Sequence, residues 1–184
     1  MIQVGTDIFP MEFYDEIEKA AWLTEEEDGT VYSKTGESPD VVEEKRRSKV
    51  KYIQDPLIKN TLLHYVQHLN ATHYGFDLYP TCYLQYTTYD SSYKGHYDWH
   101  QDDAIFDPTV SAKAIRKLSI TMPLSWSHEY EGGDLEIEGI DLPDQARQKG
   151  SVVVFPSFFN HRVTPVTLGQ RRSLVAWFLG PLWR

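Results

Sequence analysis

The stretch Gly95-His96-Tyr97-Asp98-Trp99-His100-Gln101-Asp102-Asp103 is where the chain concentrates side chains that bind metals. Aromatic residues of high strand propensity separate its histidines and aspartates. Read as a strand, it points residues two apart to the same face, so both His96/Asp98 and His100/Asp102 present an imidazole beside a carboxylate. Either pair supplies two members of the two-histidine, one-carboxylate triad that holds non-haem Fe(II) and leaves positions open. Downstream, only His128 and His161 remain as a third ligand. His128 lies in the polar run Ser125-Trp126-Ser127-His128-Glu129-Tyr130-Glu131-Gly132, which reads as a hairpin loop. His161 opens a strand, and Arg171 and Arg172 follow it ten residues on. That combination suits a ligand with two carboxylates, one end chelating a metal and the other paired with a guanidinium fork.

Around this stretch the pattern is of period two. Strands are expected at 81–89, 95–102, 117–124, 135–137, 151–156, 161–166 and 171–179, with turn chemistry such as Glu131-Gly132-Gly133-Asp134 between them. Upstream, a short strand at 2–9 leads into a helix at 10–23, and Asp55-Pro56 starts a second helix running from Leu57 to about Thr72. Residues 46–53 alternate as one strand with a charged outer face, and 24–44 reads as an acidic exposed loop with one short strand at 30–33, or as a flap over a site. His64, His68 and His73 lie on or just past the second helix without a metalloprotease glutamate, and are read as surface histidines. Many short strands after two helices imply an α+β, mainly β architecture: a sandwich or barrel with the helices packed on one side.

Composition narrows the function classes. With 184 residues and 41% apolar content the chain can bury one sizeable core, so one domain is expected over 1–184. A net charge of −9 disfavours gripping phosphate backbones, and no nucleic-acid partner is expected. The lone cysteine, Cys82, makes no intramolecular disulfide, and residues 1–10 lack the basic start and apolar run of a signal peptide. A cytoplasmic location and no membrane partner are therefore expected; oligomeric state is left open.

Two groups of residues carry a resemblance. Gly95, Tyr97, His100 and Asp102 form the first; Gly150, Phe155-Pro156-Ser157, His161, Val163, Pro165-Val166, Gly169 and Arg171 form the second, in order. In this order and spacing the chain resembles the Fe(II)/2-oxoglutarate-dependent dioxygenases, in the branch of prolyl 4-hydroxylases and PKHD-type hydroxylases. Gly132-Gly133-Asp134-Leu135 and, more loosely, Arg46-Arg47-Ser48 extend the likeness. The resemblance implies a double-stranded β-helix (jelly roll, cupin-like) over 76–184, with 1–75 as helical support and loops. It assigns the metal to His100, Asp102 and His161, leaving His96 and Asp98 as same-face neighbours lining the substrate entrance. It gives the distal carboxylate of 2-oxoglutarate to Arg171, with Ser173 adding a hydroxyl, and makes Trp177 pocket-lining. A tyrosine found on a later strand in animal relatives is missing at Thr121-Met122-Pro123-Leu124, so Tyr89 is the candidate contact to 2-oxoglutarate, with Tyr86 on the other face of its strand. The implied cofactors are Fe(II), 2-oxoglutarate and O2, with ascorbate as a helper reductant.

The implied reaction is hydroxylation of an unactivated C–H, because Asp102 fills the carboxylate position that halogenase relatives leave open for halide. Family likeness favours a prolyl residue in a protein or peptide; a free amino acid or other small molecule is the alternative. From other classes, a non-catalytic jelly roll that binds a metal or ligand has no need of Arg171, and a nucleic-acid demethylase calls for a basic groove.

Overall fold

The computed structural model describes residues 2–31, 41–103 and 114–183. In chain order they form β1 (Gln3–Thr6), α1 (Met11–Trp22), β2 (Glu27–Asp28), β3 (Arg46–Arg47), β4 (Lys49–Ile53), α2 (Pro56–Leu69), β5 (Cys82–Asp90), β6 (His96–His100), β7 (Ala114–Pro123), β8 (Tyr130–Gly132), β9 (Leu135–Ile137), β10 (Ser151–Pro156), β11 (His161–Val163) and β12 (Val166–Pro181). All pairings are antiparallel. The larger sheet runs β1-β10-β7-β12-β5-β4-β2, with β8 paired to the start of β12, and the smaller runs β3-β6-β11-β9. The two sheets face each other as a jelly roll, mainly β, with both helices on the far side of the larger one.

Alternation along β5 and β12 sorts side chains between these two faces. Leu84 and Tyr86 of β5, with Leu174, Ala176 and Phe178 of β12, point to the helices and pack against Tyr14, Ile17, Ile58, Leu62 and Val66. Gln85 and Tyr89, with Arg171, Ser173, Val175 and Trp177, point between the sheets. The helix-facing row is almost wholly apolar and supplies most of the burial that drives folding. The inner row carries the polar groups, and there the site forms.

The helix starts follow from local chemistry. Pro56 occupies the first turn of α2, where its missing N–H costs no bond, and the Asp55 carboxylate accepts from the Ile58 N–H at 2.9 Å. The α-helix ends at Leu69, earlier than the apolar spacing indicates, and continues as a π-helical turn over Asn70–Tyr74. Gly75, with φ of 67°, closes it.

Residues 46–53 do not make one strand. Arg46–Arg47 pairs with β6 in the smaller sheet, while Lys49–Ile53 pairs with β5 in the larger. The chain crosses between sheets at buried Ser48, whose Oγ accepts from the Arg46 Nε at 2.8 Å. In the acidic loop a strand forms at Glu27–Asp28; the end of the strand expected at 30–33 and the middle of the proposed flap fall in residues 32–40, which lie outside the described residues. The strand expected at 161–166 ends at Val163, and that expected at 171–179 spans Val166–Pro181. No helix among the described residues is long and apolar enough to cross a membrane.

Candidate metal centre and ligand cavity

His100 ends β6, His161 begins β11, and the two are direct antiparallel partners. Their ring centroids are 4.2 Å apart. Asp102, two residues beyond His100, leaves the strand and is fixed by two hydrogen bonds, one of them from a serine that a second serine supports. Its N–H donates to the Ser157 carbonyl at 2.8 Å, Ser119 on β7 donates from Oγ to its Oδ2 at 2.7 Å, and Ser157 Oγ lies 2.9 Å from Ser119 Oγ. The carboxylate lies 3.7 Å from His100 Nε2 and 3.5 Å from His161 Nε2.

The donor set fits a divalent metal ion. One ligand atom from each of His100, Asp102 and His161 falls within 4.8 Å of the others. The Nδ1 atoms of His100 and His161 lie 2.8 Å from the Asp98 carbonyl and 2.9 Å from the Phe159 carbonyl, so each Nδ1 carries the proton and each Nε2 lone pair is turned to the centre. Burial pushes His100 down to about 3, with His161 adding to the effect, which keeps the imidazole in its neutral, ligating form. Burial alone raises Asp102, but His161, His100, Arg116 and the Ser119 hydroxyl outweigh it and hold the carboxyl down at about 2.

At the other end of the same cavity sits Arg171. It is 4% exposed, donates from Nη1 to Ser173 Oγ at 3.0 Å, and has no carboxylate partner among the described residues. A buried guanidinium left without a counter-ion carries a large desolvation cost, and a carboxylate arriving from solvent relieves it. Tyr89 lies directly across the ladder, with its ring centroid 5.5 Å from the guanidinium carbon. Burial pushes the Tyr89 hydroxyl up, so it remains a donor. Tyr86 is on the helix face and donates to Glu18 Oε2 at 2.8 Å, away from the cavity. Arg172 is likewise turned outward, paired with Glu18 at 3.1 Å and Glu129 at 3.6 Å. Trp177 lines the cavity with the Arg116 guanidinium 3.7 Å over its ring, and its buried Nε1 has no hydrogen-bond acceptor among the described residues.

His96 and Asp98 are not beside the metal-binding cluster, contrary to the even alternation read from sequence. Between the pairs His161–His100 and Val163–Tyr97, β11 contributes one residue and β6 contributes two, Asp98 and Trp99. This bulge reverses the facing of the strand. Tyr97 thereby joins His100 on the inner face, ring stacked on ring at 3.5 Å and 11°. Asp98 turns out to pair with Lys45 at 2.9 Å, and His96 Nδ1 lies 2.9 Å from the Lys94 carbonyl. His128 is exposed, as are His64, His68 and His73.

Three residues have roles at the site that the sequence reading did not assign. Arg46, read as part of a charged outer face, is 6% exposed and lies 4.6 Å over the outer side of the Tyr97 stack. It is held by Ser48 Oγ, the Thr30 carbonyl and Gln85 Oε1, at 2.8, 3.0 and 2.8 Å. Ser119 and Ser157 buttress Asp102. The Phe-Pro-Ser tripeptide flagged Ser157, but nothing local distinguishes Ser119 from any small residue in a buried strand.

Comparisons with known proteins agree with this geometry. The sequence model of the 2OG-Fe(II) oxygenase superfamily matches residues 84–179, from β5 to β12. A PKHD-type hydroxylase of Hyphomonas neptunium is 39% identical over 82 residues, 44% of this chain and 36% of the relative. One of Shewanella frigidimarina is 35% identical over 107 residues, 54% of this chain and 43% of the relative. The match thus spans less than half the length of either relative. Among solved structures, a Pseudomonas putida prolyl-4-hydroxylase superposes with a TM-score of 0.67 at 19% identity, covering 96% of this chain and 91% of that one. A viral collagen prolyl hydroxylase from Paramecium Bursaria Chlorella virus-1 gives 0.66 at 13% identity, covering 97% and 96%. These two share the fold. With the family match extending over more than half of the chain, this protein belongs to the 2OG-Fe(II) oxygenase superfamily.

Proposed function

We propose that the chain is a non-haem Fe(II)- and 2-oxoglutarate-dependent hydroxylase, and that its substrate is a prolyl residue in a peptide or protein met in the cytoplasm. The observation that carries the reading is the buried, carboxylate-free Arg171 in the same cavity as the two-histidine, one-aspartate cluster. His100 and His161 through Nε2, and Asp102 through its carboxylate, would hold the iron. Bound iron with 2-oxoglutarate supplies the means to activate O2, so that 2-oxoglutarate, O2 and R–H become succinate, CO2 and R–OH. The chain's own part is to hold and exclude. Arg171 and Ser173 receive the distal carboxylate, Tyr89 offers a hydroxyl beside them, and Phe155, Val163 and Val175 keep the space between dry. Ser119 and Ser157 hold the Asp102 carboxylate in one orientation while its partners change. PKHD-type hydroxylases among the relatives and prolyl hydroxylases among the structural neighbours support hydroxylation and a prolyl target.

The test is succinate formation from 2-oxoglutarate with Fe(II), ascorbate and a panel of prolyl peptides, wild type against His100→Ala. Turnover by the wild type alone, with a gain of one oxygen on proline by mass spectrometry, is expected. Silence from both proteins across the panel, or oxidation only of a free amino acid, would sink the prolyl reading.

A further inference from the structure

Arg171 lines the ligand cavity and also an outer cleft of about 540 Å³, and Gly133 lines that cleft beside it. Gly133 belongs to the tight turn Gly132-Gly133-Asp134 that joins β8 to β9. Both glycines are left-handed, with φ of 70° and 63°. At Gly133 the close approach matters as much as the dihedral. A Cβ there would stand 2.9 Å from the Arg171 Cδ and 2.9 Å from the Val166 Cγ2. Side-chain carbons do not sit that close to their neighbours, so the turn, the valine or the arginine would have to move.

Their surroundings decide which of the three gives way. On its outer side the turn is clamped by Arg147, whose Nη2 donates to the Gly132 carbonyl at 3.3 Å and whose Nη1 pairs with the Asp134 carboxylate. Toward the neighbouring chain the Gly133 N–H donates to the Pro165 carbonyl at 3.3 Å. The Asp134 N–H donates to Thr164 Oγ1 at 2.8 Å, and its carbonyl accepts from the Thr164 N–H at 3.0 Å. Val166 is fully buried with Tyr89 and Val163, and its N–H donates to the Gly95 carbonyl at 2.9 Å. The Arg171 side chain is held among the described residues by one hydrogen bond, from Nη1 to Ser173 Oγ at 3.0 Å. Its stem is the part that yields.

We propose that Gly133 is a positioning residue for the cosubstrate. The turn it makes, clamped from outside by Arg147, is the saddle along which the Arg171 stem lies, and it sets where the guanidinium meets the distal carboxylate of 2-oxoglutarate. This rests on the assignment of Arg171 to that carboxylate and deepens it. A guanidinium fork holds a carboxylate through two parallel bonds, so a displaced stem spoils both together. The metal-binding residues sit at the other end of the cavity and do not share the loss.

Calorimetric titration of 2-oxoglutarate into the Mn(II)-loaded protein tests this without turnover. Gly133→Ala is expected to weaken 2-oxoglutarate binding by about tenfold, while Mn(II) affinity stays at the wild-type value. Gly139→Ala is the control for backbone strain, because Gly139 has φ of 72° and nothing within 4 Å of a Cβ. It should bind 2-oxoglutarate as the wild type does. In an Arg171→Ala background, where the crowded stem is gone, Gly133→Ala should take nothing further from the affinity. Arg147→Gln adds no atom beside the stem but loosens the clamp, and is expected to weaken 2-oxoglutarate binding about threefold. It decides the matter alone if Gly133→Ala does not fold. Equal affinity in Gly133→Ala and Gly139→Ala, matching losses of Mn(II) and 2-oxoglutarate binding, losses that add in the double variant, or wild-type affinity in Arg147→Gln overturns the positioning role. The reading beneath it fails separately. An Arg171→Ala protein that binds 2-oxoglutarate as tightly as wild type removes the cosubstrate site itself. A weakened Arg171→Ala beside an unaffected Gly133→Ala removes only the part played by the turn.

Discussion

Tyr97 lies flat on His100, and Arg46 lies over Tyr97, so a guanidinium anchored at three points backs the first metal-binding imidazole. An aromatic stack of this kind is worth about 0.5–1.5 kcal/mol beyond the area it buries. Tyr97→Leu is therefore expected to weaken Mn(II) binding by a few-fold to about tenfold, read by calorimetry, with helical content unchanged. Affinity equal to wild type would show that the stack does not position His100. Arg171 supports a sharper expectation. Removing the guanidinium leaves an arriving carboxylate buried and unpaired, an effect of about 2–5 kcal/mol. Arg171→Ala should raise the 2-oxoglutarate concentration for half-maximal succinate formation by roughly 10²-fold. An unchanged requirement would end the assignment of Arg171 to the cosubstrate. Of these two residues, Arg171 was legible in the sequence because it lies in a regular strand ten residues past a histidine. Tyr97 was legible as a motif member but not as the neighbour of His100, because that contact depends on an unpaired residue in β6.

At the scale of elements, the contrast is between β12 and β6. β12 alternates without a break through the site, so Arg171, Ser173, Val175 and Trp177 share one face as their spacing predicts. β6 carries the bulge at Asp98–Trp99, and a one-residue slip exchanges the two faces, taking Asp98 out and Tyr97 in. The turn into β6 is equally constrained. A Cβ on Gly95 would stand 2.7 Å from the Asp90 nitrogen and 2.8 Å from the Tyr89 Cα, both backbone atoms that cannot swing aside. Gly95→Ala is expected to cost about 1–3 kcal/mol, seen as a lower Tm, and to weaken metal binding as well because β6 shifts with the turn. A wild-type Tm would mean that the turn relaxes freely. The opposite end of β5 offers a check on helix packing. Cys82 faces the helices, and burial pushes its thiol up to about 11. At pH 8 only on the order of one thiol in a thousand is then ionised. Its reaction with an aromatic disulfide reagent should be slow until denaturant opens the core; rapid modification of the folded chain would show that α1 and α2 pack loosely over β5.

The whole molecule is two sheets that meet at the site. His100 and His161 come from the smaller sheet, and Asp102 is tied to β7 of the larger one through Ser119. Arg171, also in the larger sheet, closes the other end of the cavity. A metal ion that binds only the folded chain stabilises it by about 2.7 kcal/mol at a hundred times its Kd. Mn(II) with 2-oxoglutarate should accordingly raise Tm by several degrees in the wild type and not in His161→Ala. An equal rise in both would place the metal elsewhere. The sequence by itself determined the alternating strands, the order of the ligand motifs and a sandwich or barrel with helices on one side, because strand period and turn chemistry are local and each strand writes its own face; the jelly roll was what the resemblance implied. Only the tertiary structure decided what stands beside each ligand. The β6 bulge and the crossing of 46–53 between sheets both depend on how many residues a partner strand sets opposite, and that count belongs to the pair rather than to either strand alone.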